Sequence, residues 1–260
     1  MKKYLDFALR MCKHAKKVML KYYKHKNGEN YKTDHTIVTK ADTEINNYLI
    51  EQVKKNFPSH SVNGEENSFG NSKFVWVCDP VDGTAMYAKH LPVAVFSIAL
   101  CEDGAPILGA VMDPFSNKIY YAVKGQGAFV NGHKLSVNNL GFEQMKTIGH
   151  VDIWPFSGYE ILDVIKQLEN KSYIVSIGTV THACMMVASG DFSYIIFPGT
   201  VGKNVDFAAA KIIIEEAGGK VTDFDGKEQR YDKDINGAIA SNGVLQSELI
   251  ELVKKYAIKK

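Results

Sequence analysis

From Tyr4 to Tyr23 apolar residues recur at helical spacing (Leu5, Ala8, Met11, Cys12, Ala15, Val18, Met19) with Lys and His in the gaps, which predicts an amphipathic helix. A polar loop with Gly28 and the run GENYKTDHT follows. The helical period resumes from Thr39 to Phe57 through Ile45, Tyr48, Leu49 and Val53, and Pro58 ends it. FVWVC (74–78) is a nearly unbroken apolar run ending in Asp79-Pro80, the pattern of a strand buried on both faces. Between Val93 and Leu135 short apolar segments alternate with turn signals (Cys101-Glu102-Asp103-Gly104, Asp113-Pro114, Gly125-Gln126-Gly127, Asn131-Gly132), predicting an antiparallel meander. Within it KGQGAFVNG is glycine-rich, but its Asn131-Gly132 reads as a hairpin turn rather than a phosphate loop. After about residue 140 the pattern alternates: strand-like YIVSIG (173–178), helix-like THACMMVASG (181–190), strand-like FSYIIF (192–197), helix-like VDFAAAKIIIEEAGG (205–219), strand-like KVTDF and GAIAS, and a helix from Leu245. With no repeat and no long linker, the expectation is an α+β half over 1–140 and an α/β half over 141–260, packed as one continuous unit.

Composition narrows the partners. A chain of 260 residues, 45% hydrophobic, can bury a real core, and disorder is excluded as its main state. The formal charge is only +2, without a long block of one sign, so nucleic acid is not the expected partner. The longest apolar runs, such as LPVAVFSIAL (91–100), fall far short of the roughly 20 residues of a membrane span. Asp6, Arg10 and Lys13 interrupt the N-terminal apolar residues, so no secretory segment is expected and the reading is cytoplasmic. Cys12, Cys78, Cys101 and Cys184 are scattered without metal spacing and read as reduced thiols.

Polar residues at the ends of buried elements are where chemistry is mounted on rigid supports. Three such places are acidic: Glu65-Glu66 in a Gly-containing loop, the segment Asp79-Pro80-Val81-Asp82-Gly83-Thr84, and Asp206 leading the apolar helix. Gathering these acids without compensation would cost several kcal/mol, so a cluster of them implies hard cations. Two divalent ions about 4 Å apart can activate water on one side of a phosphorus and stabilise the leaving oxygen on the other. Asp79 is the candidate bridging ligand, with Asp82 reaching the second ion. Pro80 stiffens the turn and leaves the Val81 carbonyl free as a ligand. Gly83 and Thr84 would offer N–H groups to an anion, and the Thr84 hydroxyl could orient water.

Each residue also has a structural reading. Asp206 alone fits a helix N-cap, Glu65-Glu66 a solvated loop, and the Asp79 segment a strand-end turn. An EF-hand is rejected, because His90 stands where that loop needs a bidentate Glu. An aspartyl-nucleophile phosphatase of DxDGT type is rejected because Pro80 stands where the nucleophile belongs. Met185-Met186 read as core, the Lys-rich tail as a solvated helix end, and His90 as a lesser candidate for the pocket wall.

WVCDPVDGT, preceded by GEE and followed by VDFAAAKIIIEEAGG, resembles the inositol monophosphatase family, whose motifs run roughly W-x-x-D-P-[IL]-D-G-T and W-D-x-A-A-G. HTIVTKAD, FPSHSVNGEE and KGQGAFVNGHKL are similar to further family segments in the same order, so the resemblance extends over nearly the whole chain. It implies a layered αβαβα sandwich and a homodimer. It also implies Mg²⁺-dependent, lithium-sensitive hydrolysis of a phosphate monoester, with two to three ions per site. Glu65, Asp79 and the Val81 carbonyl would hold one ion, and Asp79, Asp82 and Asp206 the second, with Glu65 helping a third. Thr84 paired with Asp42 would orient the attacking water, and Lys32 would lie on a flap over the metals.

Substrate is where the chain departs from the pattern. Val205 and Ala210 replace the family's Trp and Gly, Ala85-Met86-Tyr87 follow DGT, and FPGTVGKN is about two residues longer than usual. Phe197 stands where inositol monophosphatases carry a Glu against inositol. Gly178-Thr179 matches a segment bordering the substrate pocket, and Lys203 could meet a second anionic group or lie in solvent. The expectation is a small phosphorylated polyol or sugar as substrate. The superfamily alternatives are fructose-1,6-bisphosphatase, histidinol phosphatase and 3′-nucleotidase or NADP phosphatase, and the remote one is a non-catalytic interaction protein on this fold.

Overall fold

The computed structural model describes residues 1–24, 30–31, 37–154, 157–199 and 203–260. The chain opens with α1 (Lys2–Tyr23), the ribbon β1 (Asn30–Tyr31) and β2 (Ile37–Val38), and α2 (Lys40–Asn56). Strands β3 (Ser61–Gly64) and β4 (Phe74–Asp82) precede a one-turn helix, α3 (Thr84–Ala88). The meander follows as β5 (Val95–Glu102), β6 (Ala105–Asp113), β7 (Lys118–Val123), β8 (Ala128–Val130) and β9 (His133–Lys134). The second half runs β10 (Ile148–Val151), β11 (Tyr159–Glu160), α4 (Leu162–Leu168), β12 (Tyr173–Val175), α5 (Val180–Ala188) and β13 (Tyr194–Phe197). It ends with α6 (Asn204–Glu216), β14 (Lys220–Thr222), β15 (Ala238–Ser241), α7 (Gln246–Tyr256) and β16 (Ile258–Lys259).

Strands β3 to β9 form a seven-stranded sheet in sequence order, parallel only between β3 and β4. A five-stranded sheet has the order β12-β10-β13-β15-β14, with β10 parallel to both of its neighbours. Alternation hidden in the apolar run of β4 separates the layers: Trp76 and Cys78 face the core beneath α1 and α2, while Val75 and Val77 face the core holding α5 and α6. In the other sheet Ile195 and Phe197 meet that same central helix layer, and Tyr194 and Ile196 face the core with α4 and α7. The result is five layers, αβαβα. α6 lies between the sheets and is buried from Asn204 to Ile214, which is why its sequence is apolar all round rather than amphipathic.

Three expectations change. The strand expected to stop at Asp79-Pro80 continues to Asp82 across a bulge, since Asp79 opposes Ser97 and Asp82 opposes Val95. One extra residue is accommodated there, where Pro80 has no N–H to waste. Strand β10, the partner of both β12 and β13, lies in a segment without a clear apolar run. The Lys-rich tail is a solvated helix end only through Lys254-Lys255 of α7; beyond it Ile258–Lys259 pairs antiparallel with Tyr159–Glu160. All four cysteines are buried and free, and no helix among the described residues is long and apolar enough to cross a membrane.

Candidate functional site

The bulge in β4 lets two carboxylates separated by three positions approach one another. Asp79 and Asp82 are 2% and 5% exposed, and Asp206 of α6 joins them at 4%. Ligand oxygens of these three residues lie within 4.8 Å of one another. Asp206 is not the N-cap of α6; that position is Lys203, and Asp206 sits inside the first turn. Its Oδ1 is buried without a hydrogen-bond partner among the described residues. A backbone bond from the Glu65 N–H to the Cys78 carbonyl (3.1 Å) ties the loop after β3 to the end of β4, and the Glu65 side chain is only 16% exposed. The solvated-loop reading of Glu65 therefore fails.

The cluster is electrostatically costly as it stands. Burial, reinforced by Glu65, Asp206 and Asp82, pushes the Asp79 carboxyl well above the usual carboxylate range. Burial pushes Asp206 up to about 8, against the pull of the Lys203 charge. Asp82 is also raised by burial. It is held back by the Thr179 hydroxyl, which donates to its Oδ2, and by the N–H groups of Thr181 (2.8 Å) and Val180 (3.4 Å). Asp82 thus occupies the N-terminus of α5, where first-turn N–H groups favour negative charge. Lys203 is no solvated loop lysine, for its Nζ lies 2.9 Å from Glu65 Oε1. Burial alone would lower its pKa, but Asp206, Glu65 and Asp79 hold it well above the usual lysine range.

Asp42 anchors the start of α2 in a capping box, its Oδ2 accepting from the Thr39 N–H (2.8 Å) and hydroxyl (2.5 Å). Its Oδ1 faces Thr84 Oγ1 at 3.3 Å, and that hydroxyl also lies 2.7 Å from the Val81 carbonyl oxygen. Asp42 is fully buried, and burial raises its pKa to about 7. Gly83 turns the chain into α3 at φ 85°, and a Cβ there would stand 3.0 Å from Thr179 Cβ. Only glycine lets the end of β4 meet the N-terminus of α5 this closely.

A cavity of about 310 Å³ opens over these groups. Glu65, Asp79, Val81, Asp82, Gly83, Thr84, Gly178, Thr179, Lys203 and Asp206 all line it, so the structure assembles these predicted residues in one place. Asp42 lies behind Thr84 rather than on the wall. Lys32 lies outside the described residues. Phe197 lines the cavity too, whereas His90, at φ 59° in the turn after α3, does not. Asp152 and Trp154 also line it and were not predicted, because they follow β10, whose strand the pattern did not reveal. The glycine-rich loop after β7 binds a carboxylate of the protein itself: Gly125 and Gly127 N–H groups donate to Glu216 (2.6 and 2.7 Å).

An all-oxygen donor set of buried carboxylates, one oxygen of which has no partner among the described residues, suits hard divalent cations such as Mg²⁺. Comparison with known proteins agrees. The model of the inositol monophosphatase family matches residues 1–257. A fructose-1,6-bisphosphatase/inositol-1-monophosphatase of Thermotoga maritima is 31% identical over 258 residues, 96% of each chain. A protein of Pasteurella multocida named Nus factor SuhB is 30% identical over 85% of each. Among solved structures, a Thermotoga maritima IMPase superposes with a TM-score of 0.86 at 28% identity, covering 98% of both chains. An IMPase/NADP phosphatase complexed with Mg²⁺ and phosphate superposes with a TM-score of 0.82 at 25% identity, covering 97% of this chain and 95% of that one. The αβαβα layering, the acidic cavity and these likenesses coincide over the full chain, which belongs to the inositol monophosphatase family of phosphoric monoester hydrolases.

Proposed function

We propose that the chain hydrolyses the phosphate monoester of a small polyol or sugar, using water oriented by Thr84 and Asp42 beside a Mg²⁺ site. The observation that carries the reading is the set of three buried carboxylates, Asp79, Asp82 and Asp206, with oxygens within 4.8 Å, lining a cavity of about 310 Å³. Asp79, Asp82 and Asp206, with Glu65 and the Val81 carbonyl, would hold two to three ions. Bound ions would supply Lewis acidity at the phosphorus and neutralise the roughly two negative charges of a phosphate monoester.

The remaining work falls to the chain. Asp42 Oδ2 is occupied by Thr39, so Oδ1 is the atom left for Thr84. A water accepted by Thr84 Oγ1 would pass its proton through that hydroxyl to Asp42 Oδ1, whose raised pKa of about 7 suits a base working near neutrality. Gly83 and Thr84 N–H groups are the candidates to receive phosphate oxygens, with Gly178 and Thr179 bordering the alcohol. Lithium sensitivity, cytoplasmic residence and a homodimer belong to this reading as family expectations.

The test is phosphate release, with and without Mg²⁺, from inositol 1-phosphate, fructose 1,6-bisphosphate, histidinol phosphate, adenosine 3′,5′-bisphosphate and NADP. A roughly 100-fold preference for a polyol or sugar phosphate, about 2.7 kcal/mol in the transition state, is the expected result. Dominance of a nucleotide substrate would move the assignment to the nucleotidase branch. A second reading, a binding role, has behind it the name of a relative, Nus factor SuhB, rather than an observation of this site. A protein that merely binds has no physical reason to bury three carboxylates against their own repulsion.

A further inference from the structure

Asp152 follows β10 on the five-stranded sheet and lines the cavity, yet it is not part of the carboxylate set. It is 6% exposed. Its N–H donates to the Ile196 carbonyl at 3.0 Å, which fixes the backbone just past the parallel pairing of β10 with β13. His150, two positions earlier on the same face, is fully buried. Its Nδ1 receives the Ile177 N–H at 3.4 Å, so the imidazole hydrogen belongs on Nε2, which faces Asp152 Oδ1 at 3.7 Å. Among the described residues no hydrogen bond reaches the Asp152 carboxylate. It is an acceptor held in place with its capacity unspent.

The surroundings say what it can accept. Trp154 and Phe197 line the cavity with it and offer apolar faces. The only cationic side chain among the described lining residues is Lys203, which is paired with Glu65 at 2.9 Å. A group carrying O–H or N–H donors on a carbon frame fits a cavity that presents both a carboxylate and aromatic rings. A second phosphate beside Asp152 fits poorly, because its charge repels the carboxylate and Lys203, the one cation among the described lining residues, is already paired with Glu65.

We propose that Asp152 is a specificity-determining residue. It accepts a hydrogen bond from a donor on the alcohol part of the monoester and excludes substrates with a second phosphate there. This rests on the phosphatase reading above and deepens it, favouring monophosphates over bisphosphates.

The experiment measures kcat and KM with Mg²⁺ for inositol 1-phosphate and fructose 1,6-bisphosphate in the wild type, Asp152→Asn and Asp152→Glu. In Asp152→Asn the ratio of the two kcat/KM values should swing toward the bisphosphate by about tenfold or more, carried mainly by KM. Asp152→Glu keeps the charge and should keep the exclusion. A purely structural role would depress both substrates in parallel and leave the ratio alone, and that result overturns the proposal. If the Asn variant does not fold, Asp152→Ser, which also removes the charge, is read by the same ratio. A histidinol phosphate arm identifies the donor: a greater loss there than on inositol 1-phosphate assigns an ammonium, the reverse hydroxyls. Wild-type failure to release phosphate with Mg²⁺ from inositol 1-phosphate, fructose 1,6-bisphosphate, histidinol phosphate and p-nitrophenyl phosphate alike would remove the phosphatase reading, and this inference with it. Wild-type activity with an unmoved ratio removes the inference alone.

Discussion

Asp82 answers to two elements at once, accepting hydrogen bonds from Thr179, Val180 and Thr181 of the α5 N-terminus while turning toward Asp79 and Asp206. Asp82→Asn keeps an acceptor oxygen for α5 but removes the charge a divalent ion needs. The expected outcome is a loss of at least about 100-fold in Mg²⁺-dependent phosphate release, roughly 2.7 kcal/mol, with a smaller Mg²⁺-induced rise in Tm. A variant that hydrolyses normally would disprove the ligand role. Lys203 makes the complementary case, since its ammonium compensates the acids that a metal would otherwise compensate. Lys203→Met should lower the Tm of the metal-free protein and tighten Mg²⁺ binding in calorimetry; weaker binding would contradict this. The acids were legible in the sequence because each interrupts an apolar element or sits in a recognisable motif. Lys203 was legible as a candidate for a second anionic group, but its pairing with Glu65 was not, because that partner lies 138 residues away. Asp152 and Trp154 were missed for a similar reason, since nothing local marks a residue whose role is set by a cavity.

At the scale of elements, the position of α6 decides whether Asp206 reaches β4. The helix packs on β6 at Gly109, where a Cβ would come within 2.8 Å of both the Ala209 carbonyl oxygen and Ile212 Cγ2. Gly109→Ala should therefore cost about 1–3 kcal/mol in denaturant unfolding, as overpacking does, and push α6 away from the sheet. Mg²⁺ affinity should fall along with stability, because the displaced helix carries Asp206. Unfolding that is unaffected by the substitution would show that the packing gives way easily. Most elements were legible: the two N-terminal helices, the meander with its Asn131-Gly132 turn at φ 48° and 86°, and α5, β13 and α6. β10 escaped because Gly149 and His150 break its apolar run. The space at Gly149 is filled from the neighbouring strand, where the Tyr194 ring would lie 1.9 Å from an added Cβ. The pairing of β16 with β11 escaped because two-residue strands in a Lys-rich tail have no periodicity to read.

For the whole molecule, the acidic cavity makes stability depend on pH and metal together. Asp206 is raised from an ordinary 3.8 to about 8 in the folded chain, and Asp79 and Asp82 are also raised, all mainly by burial. The folded, metal-free protein therefore holds protons that the unfolded chain releases. That contribution is fully present below the unfolded value of about 4 and is lost as pH rises through the folded values, about 8 for Asp206. Metal-free protein should accordingly lose Tm as pH is raised from about 5 to about 8. With Asp79, Asp82 and Asp206 as its ligands, Mg²⁺ would compete with protons for the same oxygens, so its stabilisation should grow over the same interval, by RT ln(1 + [L]/Kd) with a Kd that tightens as the carboxyls ionise. The measurement is thermal unfolding at a series of pH values, with chelator and with excess Mg²⁺. Taking the difference between the two curves cancels groups elsewhere, such as His14 and His60, whose pKa values burial lowers. A difference that widens with pH supports the carboxylates as the metal site. A constant or narrowing difference would mean that Mg²⁺ stabilises the fold at groups that do not titrate in this range, and the assignment of Asp79, Asp82 and Asp206 as ligands would fall.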